Sequence, residues 1–231
     1  MPPRPEFTFA RFLETATSRP ALHAARAVAA DVGRRARSLV LVGPTGCGKT
    51  HLLQGVAAAA RAEHPEVTVV LTTARDVRAD LVDALRTGGD PLAPLTPSSR
   101  ALVVVDDLDS LAGNPATQEL IARRWAVTLC AGISVVGAGS GPIEALGPLR
   151  GVLAPLGTRW VEMPRPTVAD AERVLASLLR AHQLSPSADL TARALRDWNG
   201  DIRRLFGVVA YAEFAARHPD AAPPPLAARR A

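Results

Sequence analysis

Lysine is almost absent: of 27 basic residues 26 are arginine, and the single lysine is Lys49. Cysteine is scarce as well, and two residues, Cys47 and Cys130, are too few for a disulfide framework, so a reduced compartment is the simpler reading. Long apolar runs are missing. The longest, such as Ala101 to Val105 and Gly55 to Ala60, fall far short of the roughly 20 residues that a membrane span needs, so no span is expected. The N-terminal residues MPPRPEFTF carry no apolar stretch of the signal-peptide kind, which predicts a cytoplasmic protein. Low-complexity tracts and internal repeats are also lacking, which excludes disordered and solenoid classes.

What is present is a chain of 231 residues, 48% hydrophobic and 21% charged, enough for one large domain with a small appendage. The net charge of +5 is a weak sign of nucleic-acid binding, because an arginine-rich, alanine-rich and proline-rich composition also reads as a coding bias. The one lysine is more informative. A compact ammonium on a flexible stem serves tasks that a planar guanidinium does poorly.

Apolar runs alternate with helical periodicities. Helices are predicted over 20–32, 49–62, 75–86 and 115–129, and strands over 38–42, 66–71, 101–105, 133–136 and 159–163. Gly88 to Ser99 reads as a loop. This alternation predicts an α/β fold, a parallel sheet covered on both faces. Pro164-Arg165-Pro166 removes backbone donors and marks a boundary after residue 163. Three helices without a strand follow, over 168–182, 188–198 and 201–217, and the segment 219–231 reads as a frayed tail.

The strongest signal is GPTGCGKT, comprising Gly43, Pro44, Thr45, Gly46, Cys47, Gly48, Lys49 and Thr50, with His51 next. It satisfies G-x-x-x-x-G-K-[ST] between a predicted strand and a predicted helix. Its glycines let N–H groups turn inward around phosphate oxygens at the positive end of a helix. Lys49 reaches the β- and γ-phosphates in this reading, and Thr50 offers a hydroxyl to Mg²⁺. Further on, ALVVVDDLDSL puts Asp106 and Asp107 at the end of a buried strand, where ligands of open α/β sheets bind. Alone, the pair would be an ordinary helix-start signal. With the phosphate loop it favours a nucleoside-triphosphate site, Asp106 holding magnesium through water and Asp107 orienting the attacking water. Asp109 reads as a solvated or capping residue.

FTFARF, GPTGCGKTHLL, TTARDVRADLVDALR, VVVDDLDSLAG followed by TQE, and GDIRRLFG together resemble the AAA+ module of the bacterial DnaA and Hda family over about residues 7 to 214. The resemblance implies a P-loop AAA+ (ASCE) five-stranded parallel sheet flanked by helices over 1–163 and a small all-helical lid over 164–218. It also implies ATP or ADP as ligand, and work at replication origins with other replication-initiation or DNA-processing proteins or an AAA+ homologue, in a nucleotide-dependent oligomer. It assigns Phe12 and Leu13 a contact with the adenine, where packing of the N-terminal segment on the core is an equal reading. In Gly200-Asp201-Ile202-Arg203 it makes Arg203 the second sensor, reaching the γ-phosphate; a solvated arginine at a helix start is the alternative.

Departures from the family pattern bear on turnover. Only Ser140 is available as first sensor in VVGAGSGP, and Pro155 falls at the arginine-finger position, with Arg150 and Arg159 on either side. Slow ATP hydrolysis is therefore expected. No helix-turn-helix segment follows the lid and no clamp-binding motif precedes the core, so sequence-specific duplex reading and clamp-dependent regulation are not expected. Arg75 and Arg78 are candidate contacts to single-stranded DNA, or else solvated residues of an amphipathic helix. The competing readings are a helicase loader or IstB-like transposase helper, and a nucleotide-locked interaction domain with negligible hydrolysis.

Overall fold

The computed structural model describes residues 3–218 apart from 33, 36, 99, 186, 187 and 197. Strands β1 (Ser38–Gly43), β2 (Thr68–Thr73), β3 (Ala101–Asp106), β4 (Ser134–Ser140) and β5 (Arg159–Glu162) form one sheet in the order β2-β3-β4-β1-β5. Every pairing is parallel. β1 and β3 are buried along their whole length, as unbroken runs of Leu and Val require of strands covered on both faces.

Successive side chains of these strands enter opposite cores. Leu39, Leu41, Leu102 and Val104 pack under helices α1 (Arg19–Asp31) and α2 (Lys49–Glu63) with Leu22, Leu52 and Leu53. Val40, Val42, Val103 and Val105 meet α3 (Ala74–Thr87), α4 (Pro115–Cys130) and α5 (Gly147–Leu153) through Val77, Trp125 and Leu149. Trp125 is fully buried and its indole N–H donates to Ser38 Oγ at 3.1 Å, so truncating it would cost about 3–5 kcal/mol.

Three elements differ from expectation. β4 runs on to Ser140 rather than stopping at Val136, although Gly137 and Gly139 read as breakers. A Cβ on Gly137 would lie 2.7 Å from the Trp125 ring and 2.9 Å from Leu108, so the strand is glycine-rich to admit those side chains. β2 starts at Thr68 because Val67 N–H closes a turn onto His64 O at 3.0 Å. Residues 143–156, dense in Gly and Pro and given no element by periodicity, form α5 between two 3-10 turns. Leu149 and Leu153 of α5 are fully buried.

Beyond Met163, helices α6 (Val168–Ala181), α7 (Ala188–Arg196) and α8 (Arg203–Arg217) share one apolar cluster that includes Ala171, Leu175, Leu205 and Val209. α6 opens with a reciprocal cap between Thr167 and Asp170. Trp198 Nε1 donates to Pro166 O at 2.8 Å, tying the unit to the segment that leads into it. Among the described residues no helix is long and apolar enough to cross a membrane. The expected tail over 219–231 lies outside the described residues.

Candidate nucleotide-binding site

β1 ends at Gly43 and α2 begins at Lys49, so residues 43–48 turn the chain from the sheet into a helix N-terminus whose first N–H groups have no partner within the helix. Two glycines make that turn feasible. Gly46 and Gly48 sit at φ +81° and +100°, and a side chain on Gly46 would collide with Asp201, one on Gly48 with the Phe12 ring. Lys49 is only 7% exposed, yet its Nζ donates to the carbonyls of Gly43 (2.9 Å) and Pro44 (2.8 Å) and lies 3.8 Å from Cys47 Sγ. Among the described residues no carboxylate pairs with it directly. A buried ammonium held by neutral carbonyls calls for an anion.

Because β4 lies between β1 and β3, the start of α2 crosses the end of β4 to reach the end of β3. There Thr50 Oγ1 donates to Asp106 Oδ2 at 2.8 Å, and Asp107 N–H donates to Asp106 Oδ1 at 2.9 Å. Burial pushes the Asp106 carboxyl above its ordinary value, against those two bonds and the charge of Lys49. A hydroxyl beside a carboxylate is an all-oxygen donor pair suited to a hard cation such as Mg²⁺, which takes few protein ligands. Asp107 is exposed and left-handed, at φ +58°, an uncommon conformation for a residue with a side chain.

These groups open into a cleft of about 580 Å³ between the strand ends and the three-helix unit. The size suits a small-molecule ligand. All the loop residues from Thr45 to His51 line it, with Phe12, Leu13, Asp106, Asp107, Ser140 and Arg203. Asp109 does so as well, and the reading of it as solvated or capping is corrected. Its Oδ1 accepts the Ser140 N–H at 2.7 Å, holding the end of β4 beside the end of β3.

The N-terminal segment is strapped along α2. Phe7 stacks on His51 with ring centroids 4.6 Å apart, Phe12 meets the same imidazole edge-on at 5.1 Å, and Phe9 occupies the notch left by Gly55. His51 Nε2 contacts Thr8 O at 2.9 Å, and burial holds the imidazole below its ordinary pKa. Its Nε2 is thus spent on the strap, while the residue also lines the cleft. Leu13 packs against the three-helix cluster.

Arg203 reaches the cleft, but its guanidinium is occupied. Nε and Nη2 donate to the two carboxylate oxygens of Asp201 at 3.0 and 2.8 Å, and Asp201 also accepts the Arg203 N–H at 3.0 Å. The start of α8 is fastened to the phosphate loop by Ile202 N–H on Gly46 O at 3.1 Å. Arg75 and Arg78 are exposed on α3, beside a separate hollow that Arg86 and Ser110 also line. Arg150, Pro155 and Arg159 are exposed and none of them lines the cleft. Sequence reasoning missed Asp201 as a partner of both Gly46 and Arg203. An Asp just before a helix start was the available signal.

The fold and the order of these segments agree with comparisons to known proteins. The replication initiator DnaA of Herpetosiphon aurantiacus is 27% identical over 215 residues, which is 90% of this chain and 45% of that protein. The chain thus spans less than half the length of that relative. Domain III of Thermotoga maritima DnaA superposes with a TM-score of 0.78 at 19% identity, covering 96% of this chain and 94% of that one. A replication initiator DnaA bound to AMPPCP and single-stranded DNA gives 0.74 at 19% identity, covering 94% and 69%. The model of the bacterial DnaA ATPase domain matches residues 4–136, more than half of the chain, and the protein belongs to that family.

Proposed function

We propose that the chain binds ATP or ADP with Mg²⁺ in this cleft and acts in replication initiation through nucleotide-dependent contacts with other proteins. The observation that carries the reading is Lys49, a buried cation on two carbonyls at a glycine-lined helix N-terminus, next in sequence to Thr50, whose hydroxyl donates to the Asp106 carboxylate. A triphosphate supplies the anion that Lys49 lacks, and the solved DnaA with AMPPCP binds an ATP analogue on the same fold. Thr50 and Asp106 would hold the magnesium ion, which neutralises phosphate charge when bound. Asp107 would position the attacking water. Helices α6–α8 would act as a lid, with Arg203 exchanging its Asp201 partner for the γ-phosphate.

Turnover in this reading is slow, since Ser140 supplies only one hydroxyl at the end of β4 and, among the described residues, no arginine besides Arg203 and those of the N-terminal strap, Arg4 and Arg11, lines the cleft. Single-stranded DNA is a second ligand, contacted by Arg75 and Arg78, as the neighbour bound to single-stranded DNA suggests by its fold. Calorimetric titration of the wild type and of Lys49→Ala with ATP and Mg²⁺ tests the central claim. The variant is expected to lose binding, and retention of wild-type affinity would refute the assignment.

A further inference from the structure

Phe206 is 51% exposed although it lines the cleft. The packing of α8 does not require a ring there. Leu205, Val208, Val209 and Ala212 fill the core of the three-helix unit, while Phe206 follows Arg203 by one turn on the flank of the helix, outside that buried face. Its solvated surface is apolar area that a flat ligand would remove from water.

The two walls of the cleft differ. Lys49, Thr50, Asp106 and Asp107 lie on the sheet side, whereas Leu13, Val174, Leu178 and Ile202, which also line it, belong to the apolar cluster of the three-helix unit, and the N-terminal strap adds polar groups such as Arg4, Glu6 and Arg11. α8 is fastened to the phosphate loop at Ile202. Phe206 is four residues further along, roughly 6 Å at the helical rise, and so stands away from the loop on the apolar side. A nucleotide whose phosphates occupy the loop brings its base to that side.

We propose that Phe206 packs against the nucleobase from the three-helix side and contributes to the affinity for the nucleoside part of the ligand. This rests on the reading of the cleft as a nucleotide site and adds to it the group that recognises the base. A phenyl face is blind to the hydrogen-bonding edge of a base but gains with overlap area, so purine nucleotides are favoured over pyrimidine ones.

The test is calorimetry of the wild type, Phe206→Ala and Phe206→Trp with ATP and with inorganic tripolyphosphate, each with Mg²⁺. Phe206→Ala is expected to weaken ATP roughly tenfold, the scale of one base-on-ring contact, while changing tripolyphosphate less than about twofold. Phe206→Trp is expected to restore ATP binding. Unchanged ATP affinity in Phe206→Ala, or an equal loss for tripolyphosphate, overturns the role of Phe206 and leaves the cleft assignment standing. A wild type that binds neither ligand overturns the cleft assignment, and this proposal with it.

Discussion

Thr50 and Asp106, 56 residues apart in sequence, are joined by a hydrogen bond of 2.8 Å across the end of the intervening strand β4. That contact fixes the distance between the phosphate loop and the β3 carboxylate before any ligand arrives. Asp106→Asn keeps the side-chain shape and its amide oxygen can still accept the Asp107 N–H, while its NH2 would donate to Thr50 Oγ1 in place of the bond that Asp106 accepts; the charge is removed. Magnesium affinity is expected to fall roughly 10- to 100-fold, as when a partner in the outer shell of a metal is lost. ATP titrations with Mg²⁺ and with a chelator check this: the gain in affinity on adding Mg²⁺, large for the wild type, should nearly vanish in the variant.

Asp107 offers a cleaner separation of charge from backbone. Asparagine tolerates the left-handed conformation as well as aspartate does, so Asp107→Asn leaves the turn at φ +58° unstrained. Steady-state hydrolysis should drop by about 10²- to 10⁴-fold with ATP affinity nearly unchanged. The wild-type rate should itself lie well below the enzyme median of about 10 s⁻¹. A loss of binding parallel to the loss of rate would make Asp107 a structural residue.

The Asp201–Arg203 pair competes with the proposed γ-phosphate contact. Burial pushes the Asp201 carboxyl up, but its bonds and charge contact with Arg203 outweigh this and hold it below the ordinary carboxylate value. Arg203→Ala should weaken ATP by about 1.5–3 kcal/mol and ADP much less. Asp201→Asn should move the ratio the other way, because it frees the guanidinium and removes a negative charge, while asparagine still caps the helix. Equal effects on the two nucleotides would assign Arg203 to lid packing alone.

Much of this site was legible because its signals are local. Gly43 to Thr50 and Asp106 declare themselves by pattern and by the strands that precede them. The Asp109 bond to Ser140 was not legible, since it depends on where β4 ends, and β4 ends late only because Trp125 and Leu108 fill the space above Gly137. Likewise α5 is masked by its flanking glycines and prolines, and only tertiary burial of Leu149 and Leu153 fixes it. His51 lines the cleft, as its place next to the loop implies, but the contacts of its ring with Phe7 and Phe12, residues far away in sequence, were not legible.

Single-stranded DNA should bind weakly, through Arg75 and Arg78 on the exposed side of α3. Such binding is mostly phosphate neutralisation, so each arginine removed should flatten the slope of log K against log salt by roughly 0.7. A labelled oligonucleotide titrated at several salt concentrations, with wild type and the Arg75→Ala/Arg78→Ala variant, measures this. Identical slopes would take α3 out of the DNA site.

The N-terminal strap and the three-helix unit meet where Thr17 Oγ1 donates to Asp170 Oδ2 at 2.9 Å. Burial raises the Asp170 carboxyl, but the Thr167 backbone N–H and the hydroxyls of Thr17 and Thr167 more than offset it and hold the group below 3.8. A carboxylate depressed in the folded state contributes stability that is complete above its unfolded value near 3.8 and fades as pH falls through the lower folded value. Asp170→Asn should therefore destabilise the protein by about 1–3 kcal/mol at neutral pH, with the difference from wild type shrinking below pH 3.8. Thr17→Val, which removes one of the bonds from the strap, should show the same trend at smaller amplitude. Urea midpoints across that range decide it: a difference independent of pH would mean that Asp170 acts through packing and helix capping alone, and that its charge does not tie the strap to the three-helix unit.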